Sequence, residues 1–200
     1  HMIRRILHLL PVLGLSSLVF LGGPSGCAGV VAGGAAAVSV AHDRRTAGTV
    51  VEDESIEMKA VAELDRHGIS ARSHLNVTSY NRSVLICGEV PDEAMRQQAE
   101  AVVRRVAEVR QVFNEAAILP ASTLASRSND TWLTTRAKTA LFEVDGIRDF
   151  DPTRVKVVTE RGIVYLMGLV RASEAETVTA TVRRVPGVQK VVRLFEYLEN

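Results

Sequence analysis

Apolar and polar positions follow the same order twice along the chain. In the first copy, two runs rich in β-branched residues flank a polar turn at Asn81-Arg82, and in the second, two similar runs flank Arg161-Gly162. Runs of this kind joined by a two-residue turn predict a β-hairpin. The motif Val-Arg-Arg-Val follows in each copy, at 103–106 and at 182–185. The chain is therefore expected to contain two copies of one folding unit.

Each copy is expected to contain two helices and three strands. Apolar residues at helical spacing predict one helix before the hairpin and one after it, and a Val-rich run closes the unit as a third strand. Ser173 and Glu176 have the spacing of a capping box. The fold class that follows is α+β, with two αββαβ units in which two helices cover one face of a three-stranded mixed sheet. The predicted helices are residues 55–66, 92–107, 131–143 and 173–185, and the closing strands are 112–119 and 188–198.

A glycine ends the second hairpin run of each unit, Gly88 in the first and Gly168 in the second. A glycine inside a strand marks either the close approach of another segment or a β-bulge. The sequence leaves both explanations open.

The first 26 residues have the composition of a secretory signal. Two arginines precede a mostly apolar stretch, and small residues lead into Cys27; this order is typical of an export signal and not of a membrane span. Because small residues before a cysteine resemble a lipobox, we expect Cys27 to be lipidated. An ordinary signal with an incidental cysteine is the alternative. Ala28 resembles an address for the outer membrane. Residues 28–41 are almost all Gly, Ala, Val and Ser, and residues 27–50 are expected to be the lipidated cysteine and a flexible tether, with local packing of residues 43–49 left open.

The two units differ in charge. Residues 51–119, the first domain, hold 8 Lys and Arg against 12 Asp and Glu, whereas residues 130–200, the second domain, hold 11 against 10. Because of this difference in charge, an anionic membrane should repel the first domain and tolerate the second. Residues 120–129 are expected to link the two domains. The acidic first helix either faces a protein partner or is a solvated surface.

Charge over the whole chain gives no indication of nucleic-acid binding, because 24 Lys and Arg nearly balance 23 Asp and Glu. Patterns typical of catalysis are missing too. His42, His67 and His74 lack ligand spacing such as His-Glu-x-x-His, and there is no Gly-x-Ser-x-Gly or phosphate-binding loop. Cys87 lies in the middle of a predicted strand and is expected to be a small core residue. We therefore expect a binding protein and not an enzyme.

The doubled αββαβ unit, with its central glycine and Val-rich closing strand, resembles the BON domain. Residues 43–49, Asp-Arg-Arg-Thr-Ala-Gly-Thr, and residues 128–135, Ser-Asn-Asp-Thr-Trp-Leu-Thr-Thr, carry much of the resemblance. Residues 155–160 and 165–170 add to it. The whole is similar to lipoproteins of the Gram-negative outer membrane that contain two BON domains.

This resemblance implies a lipid-anchored, periplasm-facing protein that binds anionic phospholipid through its second domain. It further implies enrichment at the division septum, support of outer-membrane integrity and a link to the outer-membrane protein assembly machinery. We expect a monomer with no cofactor and no metal. A periplasmic adaptor or chaperone that binds envelope proteins is the rival hypothesis.

The first helix of the second unit is expected to have two apolar sides. With residues about 100° apart, one side faces the core and consists of Leu133, Ala137, Ala140 and Leu141. Trp132 lies roughly 125° from the centre of that side, and Phe142 lies farther still. An exposed aromatic strip beside cations suits an interface with anionic lipid. The predicted lipid-binding residues are Trp132, Thr135, Arg136, Lys138, Thr139 and Phe142. Packing of Trp132 against the other domain or the tether is the alternative.

Overall fold

Two α+β units follow each other along the chain, as the repeated pattern predicts. The structure, a computed structural model, describes residues 43–199, so the signal, Cys27 and the earlier part of the tether lie outside the described residues. The first unit contains α1 (Ala47–Arg66), β1 (His74–Tyr80), β2 (Ser83–Val90), α2 (Glu93–Arg104), β3 (Gln111–Asn114) and β4 (Ala117–Ile118). The second contains α3 (Leu124–Phe142), a 3-10 turn (Pro152–Arg154), β5 (Val155–Glu160), β6 (Ile163–Val170), α4 (Ala172–Arg183) and β7 (Lys190–Tyr197).

Each unit has the predicted mixed sheet. The hairpin strands pair antiparallel, β1 with β2 and β5 with β6, and the closing strand joins the hairpin in parallel. The first closing strand is not the continuous 112–119 that the sequence predicts. The Asn114 side chain accepts a hydrogen bond from the Ala116 amide and donates one to the Arg96 carbonyl. This local turn breaks the strand into β3 and β4, both of which pair with β2.

Both faces of each sheet are covered. One face packs against the two helices of its own unit, and these contacts form two separate apolar cores. The opposite faces pack against each other and form a third apolar cluster between the domains, to which Leu85, Cys87, Tyr165 and Met167 contribute. The molecule therefore has four layers, in the order helices, sheet, sheet, helices. Cys87 is buried as predicted, but in this layer between the sheets, and burial raises the pKa of its thiol.

Two helices begin earlier than the sequence predicts. The first starts at Ala47 instead of residue 55, because the Thr46 hydroxyl caps it by accepting the Thr49 amide at 3.1 Å. The third starts at Leu124, inside the expected linker 120–129, because the Thr123 hydroxyl accepts the Ser126 amide at 3.2 Å. Threonine is favoured at the N-cap, the position directly before the first turn of a helix. Most of the expected linker is therefore helix.

The start of α4 differs from the predicted capping box of Ser173 and Glu176. The helix begins at Ala172, and the Glu174 carboxylate accepts the Arg171 amide at 2.7 Å. Glu174 takes this role because it stands three residues after Arg171, the residue that precedes the first turn.

The central glycines allow a close approach of the neighbouring strand, one of the two explanations that the sequence left open. A Cβ atom on Gly168 would lie 2.8 Å from the Arg154 carbonyl oxygen, and one on Gly88 would meet the carbonyl of His74. In both units the glycine pairs with residues at the start of the first hairpin strand. A side chain here would push the two hairpin strands apart.

A buried aspartate on the first helix holds the hairpin turn in each unit. Asp53 accepts the backbone amides of Asn81 and Arg82 at 2.7 Å, and Asp130 accepts those of Arg161 and Gly162 at 2.8 Å. All four turn residues have positive φ, as the mirror-image turn of a two-residue hairpin requires. Two of these residues are arginines, for which that backbone conformation is unfavourable. The aspartates compensate by binding both turn amides and joining helix to hairpin.

The segment before α1 crosses from one domain to the other. The Arg44 guanidinium donates to both carboxylate oxygens of Glu174, at 2.6 and 2.8 Å. The Arg45 guanidinium lies over the Tyr80 ring, 4.0 Å from its centroid. The prediction of a flexible tether is therefore wrong for residues 43–50, because Arg44 and Arg45 are packed against the domains and a helix begins at Ala47.

We expect Asp130→Ala to lower the free energy of unfolding by about 2 kcal/mol, because two turn amides lose a charged acceptor. Asp130→Asn, which keeps one acceptor oxygen, should lose less. The measurement is urea unfolding at neutral pH. Asn129→Ala, a change at the exposed neighbouring position, is the matched control. Equal stability of Asp130→Ala and the parent protein would refute the role of the aspartate.

We expect Arg44→Met to destabilise the fold by about 2–3 kcal/mol at pH 7, because Glu174 is only 1 % exposed and would lose its guanidinium partner. Burial opposes ionisation of Glu174, but hydrogen bonds from Arg44 and the Arg171 amide outweigh it, so its pKa lies below the ordinary value. A lowered carboxyl pKa stabilises the fold above the unfolded value of about 4.3. This stabilisation disappears as the pH falls through the folded value.

Thermal unfolding of Arg44→Met and the parent protein should therefore differ at neutral pH and converge in acid. Arg72→Met, which alters an exposed arginine, is the control and should leave the unfolding temperature unchanged. A pH-independent difference would show that Arg44 acts through packing and not through its charge.

Candidate functional site

The outer side of α3 is a candidate contact surface. Leu133, Ala137 and Leu141 are buried, as predicted, whereas Ala140 is only half-buried. The Trp132 side chain points outward and is 51 % exposed. The outward orientation that the helical pattern predicted is therefore confirmed. Among residues 43–199, Trp132 is not packed against the other domain, and the tether before residue 43 lies outside the described residues.

A cation is already held against the exposed tryptophan. The Arg136 guanidinium, one helical turn after Trp132, lies over the indole ring at 4.6 Å from its centroid. Lys138 is exposed on the other edge of the same helix side. The surface thus combines an aromatic ring with two positive charges, which is the composition of a helix that contacts an anionic interface.

Threonines form the middle of this surface. The hydroxyl of Thr135 donates to the Thr131 carbonyl at 3.1 Å, and that of Thr139 donates to the Thr135 carbonyl at 3.0 Å. Each hydroxyl proton is therefore used within the helix. What these side chains can offer a ligand is mainly a methyl group and an acceptor oxygen, so the predicted role of Thr135 and Thr139 is shape and apolar contact.

Leu124 belongs to the same surface and was missed by the sequence prediction. It is 78 % exposed. Because it precedes Phe142 by five full turns of α3, both exposed residues lie on one line about 27 Å long. The sequence prediction placed Leu124 in the linker, because it started this helix at residue 131. The alignment of Leu124 with Phe142 was therefore not expected. We call Leu124, Trp132, Thr135, Arg136, Lys138, Thr139 and Phe142 the α3 strip.

The matching helix of the first domain has a different outer side. Val51, Met58 and Val61 are exposed there, and acidic residues surround them, among them Glu54 and Asp65. The α3 strip is therefore specific to the second domain. Within residues 43–199, the structure contains no helix that is long and apolar enough to cross a bilayer.

A second cluster lies at the seam between the domains, and no sequence pattern indicates it. His74 begins β1 and pairs directly with Glu89 on β2, so that His74 Nδ1 lies 3.0 Å from Glu89 Oε2. Glu160, at the end of β5 in the second domain, completes the group. A local histidine motif cannot reveal this cluster, because the three residues are distant in sequence and only strand pairing and domain packing bring them together.

The two glutamates of this cluster titrate differently. Burial opposes the ionisation of Glu89, but hydrogen bonds from the Ser122 amide, His74 and Arg161 outweigh it and hold its pKa below the ordinary value. For Glu160, burial dominates over the hydrogen bond from Asn76 and raises the pKa. Glu89 therefore carries its charge, while Glu160 is the less well compensated carboxyl group.

Comparison with known proteins places this architecture in a family. The family model of the BON domain matches residues 52–120 and 129–199. The chain is 38% identical over 187 residues to a Haemophilus influenzae protein named outer membrane lipoprotein DolP, with 92% of this chain and 94% of that protein covered. It is 30% identical over 158 residues to the 21 kDa hemolysin of Actinobacillus pleuropneumoniae, with 78% and 80% covered.

A solved structure of CdsD, a structural protein of the type III secretion system of Chlamydia trachomatis, is 13% identical and covers 69% of this chain and 91% of its own, with a TM-score of 0.28. That likeness is too weak to support an argument. The match of both structural units to the family model, and the similarity to DolP over 92% of this chain, do support membership of a family. The chain belongs to the BON-domain family and carries two copies of the domain, one in each unit of the fold.

Proposed function

We propose that this protein is an outer-membrane lipoprotein that binds anionic phospholipid through the α3 strip of its second domain. In this proposal Cys27 carries the lipid anchor, and the folded domains face the periplasm and support outer-membrane integrity at the division septum. The similarity to a protein named as an outer membrane lipoprotein supports the location. The observation that carries the binding function is the exposed Trp132 with Arg136 stacked on it.

The chemistry of the strip matches that of a lipid interface. An indole ring inserts at the depth of the head groups, and each nearby cation contributes on the order of 1 kcal/mol of attraction to an anionic surface. Leu124 and Phe142 lie at the two ends of the strip and add apolar area at both. Because Arg136 lies over the ring, Trp132 insertion would bring its guanidinium to the depth of the phosphates.

Trp132→Glu should lower vesicle binding at least tenfold. Burial of an aromatic side chain in the interface contributes about 1.5–3 kcal/mol, and the new carboxylate is repelled by anionic lipid. The measurement is co-sedimentation of the 43–200 fragment with vesicles that contain phosphatidylglycerol, alongside thermal unfolding. The fold should survive, because the buried side of α3 is untouched.

Met58→Glu is the matched control, since it places the same charge on an exposed apolar position of the equivalent helix in the first domain. It should leave binding unchanged. Arg136→Glu should weaken binding with a loss that shrinks as salt rises. Normal binding by a folded Trp132→Glu protein would exclude the α3 strip as the membrane contact.

The rival function, an adaptor or chaperone for envelope proteins such as the outer-membrane protein assembly machinery, would use an exposed apolar surface for protein instead of lipid. The acidic helix α1, with Val51, Met58 and Val61 exposed, supports such a contact in the first domain. Vesicles made only of zwitterionic lipid separate the two functions. Binding that needs anionic lipid supports the membrane function, and absence of binding to either vesicle favours the adaptor.

Cys27→Ala should release the protein from the membrane fraction to the soluble periplasm. A lipidated cysteine carries more than one acyl chain, and stable anchoring needs at least two such signals, whereas the α3 strip alone binds reversibly. The measurement is fractionation of cells in low and high salt. A Cys27→Ala protein that stays in the membrane fraction in high salt would rule out the anchor.

A further inference from the structure

The seam cluster of His74, Glu89 and Glu160 has the donors of a metal site. One imidazole nitrogen and two carboxylate oxygens lie within 4.8 Å of one another. Glu89 is 1 % exposed and Glu160 is 5 % exposed. Two carboxylates this deeply buried are unusual, because removal of a charge from water is costly unless another charge compensates it.

The negative charges of Glu89 and Glu160 are only partly compensated by the groups around them. Glu89 receives hydrogen bonds from the Arg161 guanidinium at 3.4 Å and from the Ser122 amide at 3.1 Å. Glu160 receives one from the neutral amide of Asn76 at 2.6 Å. Glu89 thus has His74 and one guanidinium as partners, whereas Glu160, from the opposite domain, is hydrogen-bonded by a neutral amide. A divalent cation between the two carboxylates would supply positive charge to both.

The surroundings already provide the support that metal ligands need. Ligating carboxylates are usually held by hydrogen bonds from outer residues, and here Arg161, Ser122 and Asn76 hold them. A cavity of about 250 Å³ adjoins the cluster and offers an entry path; it is lined by His74 and Glu160 together with Asn76, Arg127, Asp130 and neighbouring threonines.

We propose that His74, Glu89 and Glu160 bind a divalent transition-metal ion of the Zn²⁺ type. An imidazole with two carboxylates gives three protein ligands and leaves one position for water, as in open zinc sites, and imidazole favours such ions over Mg²⁺. Metal–ligand bonds of about 2.0–2.2 Å require the three side chains to approach one another by about 1 Å. Since Glu160 comes from the second domain and the other two ligands from the first, the ion links the domains.

The test is titration of the metal-free full chain with ZnCl₂ in a calorimeter. We expect one ion per chain at this site, and an affinity at least tenfold lower in His74→Gln and in Glu160→Gln. Both variants keep a polar side chain of similar size, so circular dichroism and urea unfolding without metal should match the parent protein. His67→Gln, a change at the exposed histidine after α1, is the matched control and should bind Zn²⁺ normally.

Zn²⁺ should also raise the unfolding temperature of the parent and of His67→Gln, but not of the two ligand variants. The proposal is overturned if the parent does not bind Zn²⁺, if both ligand variants bind it as the parent does, or if Mg²⁺ competes equally. Vesicle binding is a separate readout: a metal-free protein that still binds anionic vesicles leaves the proposed membrane function intact.

Discussion

The structure depends on one constraint: the central strand of each sheet contains four consecutive apolar residues, 84–87 and 164–167, so the middle of the strand is apolar on both faces. All eight residues of β2 are buried. The residues that face the helices and those that face the opposite sheet alternate, so two helices can cover only half of them. Each domain supplies the second cover for the other. Separation of the domains would expose Leu85, Cys87, Tyr165 and Met167 to water together, and this cost fixes the arrangement.

Polar contacts around the edge of this interface set its geometry. Glu57 binds Lys156 at 2.8 Å, Glu196 accepts the Asn81 side chain at 2.9 Å, and Glu174 accepts Arg44. An apolar cluster tolerates sliding, whereas hydrogen bonds and ion pairs are directional. The third apolar cluster therefore provides the driving force, and the polar edge determines how one sheet lies on the other.

Sequence patterns predicted the repeat, the strands and the outward side of α3, because each of these is encoded within a few turns or strands. The helix starts were wrong because single capping threonines, Thr46 and Thr123, decide them in segments of weak pattern. The stacking of the sheets could have been predicted from the sequence. Four consecutive apolar residues in both central strands, 84–87 and 164–167, indicate burial on both faces. No sequence pattern indicates the seam cluster, since its three residues come together only when the domains pack.

The four-layer order also resolves the conflict between the acidic first domain and an anionic membrane. Helices α1 and α3 belong to opposite outer layers, because each packs on the outer face of its own sheet. With layers about 10 Å apart, a membrane that meets the α3 strip lies about 30 Å from α1. Charges are screened over about 8 Å in physiological salt. Repulsion by the acidic residues of α1 is therefore nearly lost at that distance, and the local charge of the α3 strip determines binding.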